Sequence, residues 1–434
     1  MEKTITGVVC SFCGCVCDDL EVKVEDGEIK SVKYGCAIAV EKILNCRKHR
    51  DSRSLVKENG KFREVSFEEA IDRAARILAE SKYPLLYGWS CTSCEAIRVG
   101  IELAEELGGV IDNTATVCHG PTLEAVHDVG EPSGTLGQAK NRADLIVYWG
   151  CNPLQAHMRH LSRYTAFTKG MWRPGGRKDR KIVVVDARRS ETARVADLFL
   201  RVEPGKDYEL LKALRMAIKD EEFEQDKIAG VPVEQIEELA DLMVSCEFGF
   251  LFFGLGLTQS GAKSENVTEA ISLIRDLNFR TKWLLMPMRG HFNVTGANKI
   301  SLWQTGYPFS VDFSHGYPRY NPGESSAVEL LIREEVDAAL IVGADPAASL
   351  PLKAVKFLSR IPVIVVDPIF NTTALVSTVK IPCAFTGIEC EGVVYRMDGV
   401  PFKAKKLVEP PPGILPDYEI LGMLLERVRS IRGA

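Results

Sequence analysis

Four cysteines crowd into the eight residues Cys10-Ser-Phe-Cys13-Gly-Cys15-Val-Cys17, and three of them, Cys10, Cys13 and Cys17, form with Cys46 the spacing C-x2-C-x3-C-x28-C. Three thiolates this close can wrap one inorganic centre, and a fourth must return from beyond a small structural unit. That is how a protein holds a four-iron cluster, in which each iron takes one thiolate. A structural zinc site is the alternative. Such a site usually draws on two tight cysteine pairs of similar size, whereas Cys46 has no close partner in the sequence. Cys15 and Cys36 are further thiols nearby, and both stay open as ligands.

At 434 residues the chain exceeds one ordinary core, so two to four domains are expected. A net charge of −5 gives no sign of a nucleic-acid surface or a basic membrane anchor. The longest apolar run, Phe248 to Leu257, is too short to span a bilayer. The start, Met-Glu-Lys-Thr, has neither an apolar signal region nor twin arginines. The expectation is a cytoplasmic protein whose 13 cysteines are reduced thiols and metal ligands rather than disulfides.

Beyond the cysteine triplet, Leu20, Val22 and Val24 alternate with polar residues, and Asp26-Gly27 precedes a second alternating run. This predicts a hairpin carrying the cysteine loop, followed by a helix-like segment that delivers Cys46. The basic run Arg47-Lys48-His49-Arg50 comes next, suited either to solvent or to offsetting the charge of a thiolate-bound cluster. Ser66 and Glu69 have capping-box spacing. Pro84 to Gly88 reads as a buried strand and Cys94 to Leu107 as a helix. Strands and helices then alternate to about residue 380, which implies α/β layers around parallel sheets.

Two blocks resemble each other. One is Leu145-Ile-Val-Tyr-Trp-Gly150-Cys151-Asn152-Pro153 with a later strand ending in Asp186; the other is Leu340-Ile-Val-Gly343-Ala-Asp345-Pro346 with a later strand ending in Asp367. Thr192-Ala193 and Thr373-Ala374 begin six residues after their respective aspartates. Loops at the carboxyl ends of parallel strands are where α/β sheets bind nucleotides. Neither block has G-x-G-x-x-G, so a nicotinamide site is not expected. The repeat suggests two similar nucleotide tails; the plainer reading is two α/β units with ordinary polar strand ends.

Two segments could carry chemistry. Cys118-His119-Gly120-Pro121 joins a possible metal ligand to a possible acid or base, and Gly-Pro forces a turn directly after them. A buried structural cysteine is the commoner alternative. Met286-Pro-Met-Arg289-Gly290-His291-Phe-Asn293 follows an apolar strand, and Arg289 could present its guanidinium fork to a carboxylate. A surface salt-bridge arginine is the alternative there.

Taken in order, the cysteine motif, Lys48, Cys118-His119-Gly-Pro-Thr, Gly150-x-Asn152-Pro153, Asp186-Ala-Arg188, Glu203-Pro-Gly205-x-Asp207 and Gly343-x-Asp345-Pro346 resemble the molybdopterin oxidoreductases, the superfamily of dimethyl-sulfoxide reductase and formate dehydrogenase. Within it, Cys-Gly-Cys-Val-Cys-Asp-Asp, Thr-Val-Cys-His-Gly-Pro and Arg-Gly-His-Phe-Asn-Val-Thr-Gly-Ala look most like the catalytic-subunit family of formylmethanofuran dehydrogenases.

The resemblance implies a small N-terminal β iron–sulfur domain (1–52) and two Rossmann-like parallel-sheet domains (53–125 with 292–434, and 126–291). It implies one [4Fe–4S] cluster on Cys10, Cys13, Cys17 and Cys46, and two molybdopterin guanine dinucleotides around one tungsten or molybdenum. Cys118 would be the protein thiolate on that metal, His119 a proton-handling neighbour and Arg289 the substrate arginine. Lys48 would lie between cluster and pterin, although His49 stands where relatives commonly have glycine. Gly150, Cys151, Asn152, Pro153, Asp186, Arg188, Gly205, Asp207, Gly254, Gly256, Gly290, Asn293, Gly343, Asp345 and Asp367 make up the expected cofactor-binding set.

The implied activity is reduction of CO2 to formate, which is condensed with methanofuran in another subunit. A stand-alone formate dehydrogenase subunit and a non-catalytic electron-transfer scaffold are the alternatives. The implied partners are an amidohydrolase-like subunit, a ferredoxin-like electron carrier and a subunit supplying the C-terminal β-barrel that caps the pterins in relatives. The extended Glu409-Pro-Pro-Pro-Gly413 and a helix-like tail from Asp417 to Arg432 leave no room for that barrel here.

Overall fold

The computed structural model describes residues 2–433, which fall into two compact units. The first runs to Val117 and takes up the chain again over His291–Arg396 and from Pro401 onward; the second is Cys118–Gly290 with Met397–Val400. The sequence reading breaks the chain at 125/126 and 291/292 and sets 1–52 apart; in the structure those N-terminal residues cluster with the first unit.

The first unit opens with a three-stranded antiparallel sheet of Glu2–Val8, Leu20–Glu25 and Glu28–Lys33. Asp26 and Gly27 both have positive φ, 48° and 77°, as a two-residue hairpin turn requires. The cysteine loop lies between the first two strands. A helix, Ala37–Leu44, begins immediately after Cys36.

A nine-stranded mixed sheet forms the body of this unit. Its five parallel strands run side by side as Val110–Asn113, Pro84–Gly88, Ala338–Val342, Val363–Val366 and Val379–Ile381, with antiparallel strands at both edges. Pro84–Gly88 and Ala338–Val342 are buried throughout, so their apolar runs are continuous rather than alternating. The helices Phe67–Glu80, Cys94–Leu107 and Asp417–Arg432 cover one face with Ala74, Leu78, Leu103, Leu421 and Leu424. Leu330, Leu331 and Leu358 pack against the other. Ser66 accepts from the Glu69 amide at 3.1 Å, the backbone half of the predicted capping box.

The second unit is a five-stranded parallel sheet in the order Leu198–Arg201, Lys181–Asp186, Leu145–Trp149, Phe248–Phe253, Lys282–Pro287. The helices Asp207–Ala217, Val233–Ser245 and Ser264–Leu277 contribute Leu210, Leu239 and Leu273 to its core.

In both sheets the chain builds outward one way, then returns to build the other way. The switch falls between Pro84–Gly88 and Ala338–Val342 in the first unit and between Leu145–Trp149 and Phe248–Phe253 in the second. Open α/β sheets bind ligands just outside the carboxyl ends of the strands at such a point. Among the described residues, the sheet strands after Ile381 are one antiparallel pair, Gly392–Tyr395 with Pro401–Ala404, and no barrel is formed. No described helix is long and apolar enough to cross a membrane.

Candidate functional site

The two repeated blocks fold alike. Gly150 and Gly343 leave their strands with φ of 57° and 56°, conformations that favour glycine. Asn152 Oδ1 accepts from the Thr192 amide at 3.2 Å and hydroxyl at 2.7 Å. Asp345 Oδ1 accepts from the Thr373 amide at 2.8 Å and hydroxyl at 2.6 Å. Each threonine hydroxyl in turn accepts an amide of the first loop, from Leu154 at 3.3 Å and Ala347 at 3.0 Å. The threonine repeat is therefore a latch between consecutive strand-end loops. Asp345→Ala should lower stability by about 1–3 kcal/mol, the cost of leaving buried donors unsatisfied, which thermal or denaturant unfolding will measure.

Other members of the expected cofactor set also hold the fold. Asp207 is buried and takes the Trp149 indole N–H at 2.8 Å and the Ser260 hydroxyl at 2.5 Å. Asn293, fully buried, donates to the Thr92 carbonyl at 2.7 Å and accepts from the Tyr395 amide at 2.8 Å. Gly256 lets its loop close on Gly150: a Cβ there would meet Gly150 Cα at 2.6 Å. At Gly254 the obstacle would be Cys151 Cβ, also at 2.6 Å. Cys151 points its thiol at the Phe252 carbonyl, 3.6 Å away. Pro153 is buried as the first residue of a short helical turn. Asp186 caps its own turn through the Arg188 amide at 3.1 Å. A Cβ at Gly205 or Gly290 would meet nothing within 4 Å, so the chain is open at both points.

At the switch point of the first unit lies a cavity of about 400 Å³, lined by Cys91, Gly343, Asp345, Asp367, Asn371 and His291 among others. Burial pushes the Asp367 carboxyl up to about 7, against the pull of Lys380. The volume, the strand-end loops and a carboxyl able to accept or donate near neutrality suit a nucleotide tail. Ser11 and Phe12 of the cysteine loop line the same cavity. So does Lys42, whose ammonium stands 5.5 Å from the Phe12 ring and whose charge is felt by Cys91 and His291. Lys48 is exposed and is not among the lining residues.

The cysteine loop is drawn in tightly. The Cys10 amide donates to the Cys17 carbonyl at 2.8 Å and the Val16 amide to the Cys13 carbonyl at 3.1 Å. Val16, a β-branched residue, is held at φ 38°, the kind of strain that persists where surrounding structure imposes it. Burial, then Cys13 and Cys17, raise the Cys10 thiol well above its ordinary value, and Cys36 adds to the effect. Cys15 hydrogen-bonds to Cys13 and is held in its thiol form by that bond and by burial. Burial raises the Cys46 thiol, and Arg47 and Arg50 pull it back down. Among the described residues no three His, Cys, Asp or Glu side chains converge as a mononuclear site would need. A four-iron cluster instead spreads its thiolates, one per iron.

The second unit holds Cys118, His119 and Arg289. His119 is fully buried, and its Nδ1 lies 3.1 Å from Thr122 Oγ1. Burial first, then the Arg289 charge, push its imidazole down to about 3, so it is neutral at ordinary pH. Cys118 is half-buried, its thiol pushed up to about 11 by burial and pulled back by Arg289. Arg289 is buried, and His157 Nε2 donates to its carbonyl at 2.8 Å. One buried guanidinium thus acts on both a thiol and a neutral imidazole. The thiol suits a metal that would ionise it, and the guanidinium suits a small carboxylate.

A family model for molybdopterin oxidoreductases matches residues 50–427. The chain belongs to the molybdopterin oxidoreductase family. It is 49% identical to the B subunit of the tungsten-containing formylmethanofuran dehydrogenase 2 of Methanocaldococcus jannaschii, over 99% of this chain and 100% of the relative. To the protein of the same name from Methanococcus maripaludis it is 46% identical, over 99% and 100%. The fold is similar to that of a chain in the formyltransferase/hydrolase complex FhcABCD from Methylorubrum extorquens. That match has a TM-score of 0.72 at 21% identity and covers 88% of this chain and 100% of the other. A pterin–metal cofactor and redox chemistry come with the family; a fold shared with a formyltransferase/hydrolase complex does not by itself specify redox chemistry.

Sequence reasoning does not single out Lys42, Thr258, Gln259 or His157. Lys42 has a faint signal, its place in the helix that follows Cys36. The other three meet their partners across more than 130 positions of sequence, and no local pattern marks them.

Proposed function

We propose that this chain is the catalytic subunit of a formylmethanofuran dehydrogenase, reducing CO2 to formate that a partner subunit condenses with methanofuran. The observation that carries the reading is the gathering of Cys118, His119 and buried Arg289 in one unit, residues that a scaffold would not need. High identity to two relatives of that kind over their full length supports it.

The balanced reaction is CO2 + H⁺ + 2e⁻ to formate. When bound, a bis-pterin tungsten or molybdenum centre supplies the two-electron chemistry. Cys118 would be the protein ligand to that metal. Arg289 pairs with the carboxylate as negative charge develops, and burial strengthens that pairing. His119 is a neutral, buried imidazole able to hold a proton at Nε2. The two nucleotide tails would lie at the two switch points, near Gly343 and Asp367 in one unit and near Gly150 and Asp186 in the other. Lys48 is the lysine proposed between the cluster and the pterin, and Lys42, which lines the cavity of the first unit, is a second candidate. The [4Fe–4S] cluster would pass electrons singly from a ferredoxin-like partner, and a separate β-barrel protein would cover the pterins.

The purified complex should release about two GMP per tungsten or molybdenum on acid treatment, one for each nucleotide site. A ratio near one would remove the second pterin from this reading.

A further inference from the structure

Cys118 and Arg289 are each held through the backbone carbonyl. The Cys118 carbonyl accepts two side-chain hydrogen bonds, from Thr258 Oγ1 and Gln259 Nε2, both at 2.9 Å. The Arg289 carbonyl accepts from His157 Nε2 at 2.8 Å. A carbonyl can only accept, so Nε2 of His157 carries its proton, and burial keeps that ring neutral.

These donors are well placed to transmit rigidity. Thr258 is fully buried and His157 nearly so. A threonine at this point of a helical turn commonly bonds back to a carbonyl of its own turn; here it reaches 140 positions along the chain instead. The turn that carries Thr258 and Gln259 is tied to the centre of the sheet. The Gly254 amide donates to the Trp149 carbonyl at 3.0 Å and the Gly256 amide to the Gly150 carbonyl at 2.9 Å. The Arg289 segment is tied to the neighbouring strand end, with the Met288 amide on the Phe253 carbonyl at 2.7 Å. The His119 ring packs edge-on to Phe253, centroids 6.1 Å apart. Adjacent strand ends therefore fix both segments that carry the reactive groups.

We infer that Thr258, Gln259 and His157 are positioning residues that set the placement of Cys118 and Arg289 relative to each other. The two arms act separately: Thr258 and Gln259 aim the thiol, and His157 aims the guanidinium. The inference rests on the proposed function for its kinetic consequences but not for its geometry.

The test uses the complex with the full chain carrying Thr258→Val with Gln259→Leu, or His157→Phe. The first should lower kcat for formate oxidation by about 100-fold, the scale of an ångström misplacement, and shift the pentavalent metal resonance. The second should raise the formate KM by about tenfold, the effect of losing roughly 1.4 kcal/mol of carboxylate binding, with kcat little changed. Thr258→Ser and His157→Gln, which keep a donor, should restore most of each loss.

A second readout uses the full chain made without tungsten or molybdenum. Iodoacetamide labelling, mapped by mass spectrometry, should rise at Cys118 in the Thr258/Gln259 double variant and stay level at Cys151 and Cys246. Unchanged labelling at Cys118 overturns the clamp. So does an equal rise at all three thiols, which marks general loosening. If Cys118→Ser keeps its metal and its turnover, the proposed function fails, while the labelling still decides the clamp.

Discussion

Cys118→Ala should abolish formate oxidation in a dye-linked assay while leaving the iron–sulfur absorption in place. The two effects separate because the residues lie in different units with their own cores: Cys118 begins the second, and the cysteine loop belongs to the first. Removing the thiol deletes the one protein ligand proposed for the metal, so the loss should be nearly complete. Arg289→Ala should be severe but graded, about 10²–10³ in kcat/KM, as for loss of one preorganised charge partner. Arg289→Lys should recover little, because a point charge cannot reproduce a planar fork. The burial of Arg289 is what makes the effect large, since a surface guanidinium would be screened by solvent. Turnover undiminished in Cys118→Ala would end the assignment.

Much of the architecture is legible in the sequence because long apolar runs leave few choices. Leu145–Trp149 and Ala338–Val342 are buried along their whole length, and their sequences show it. The tail helix Asp417–Arg432 and the helix Cys94–Leu107 lie where the periodicity places them. The threonine repeat is visible too, but its meaning is not. A sequence shows that Asn152 and Asp345 are polar residues at strand ends; only the fold shows that their oxygens are already taken by Thr192 and Thr373. The same holds for Asp207 and Asn293, whose hydrogen bonds are internal. Buried polar groups need partners, and a polar side chain satisfied within the fold looks, in sequence, like one waiting for a ligand.

The fourth cluster ligand shows the same limit and has a decisive test. Cys36 and Cys46 both follow the triplet at a workable distance in sequence, and the spacing alone assigns the helix between them to the delivery of Cys46. In the structure Ala37–Leu44 starts at Cys36, and its eight residues carry the chain about 12 Å along the helix axis before Cys46 is reached. Cys36 lies near enough for its charge to act on Cys10, while Arg47 and Arg50 favour the thiolate of Cys46, the form that binds a metal. The proposed ligand set stays Cys10, Cys13, Cys17 and Cys46, with Cys36 as the alternative fourth ligand. Cys46→Ser should destroy the four-iron signature of the anaerobically purified complex. Cys36→Ser should retain about four irons and four sulfides per chain, the stoichiometry of one intact cluster. Cys15→Ser should also retain them, because Cys15 serves as a hydrogen-bonding neighbour of Cys13. Loss of the cluster in Cys36→Ser, with its survival in Cys46→Ser, would move the fourth ligand to Cys36.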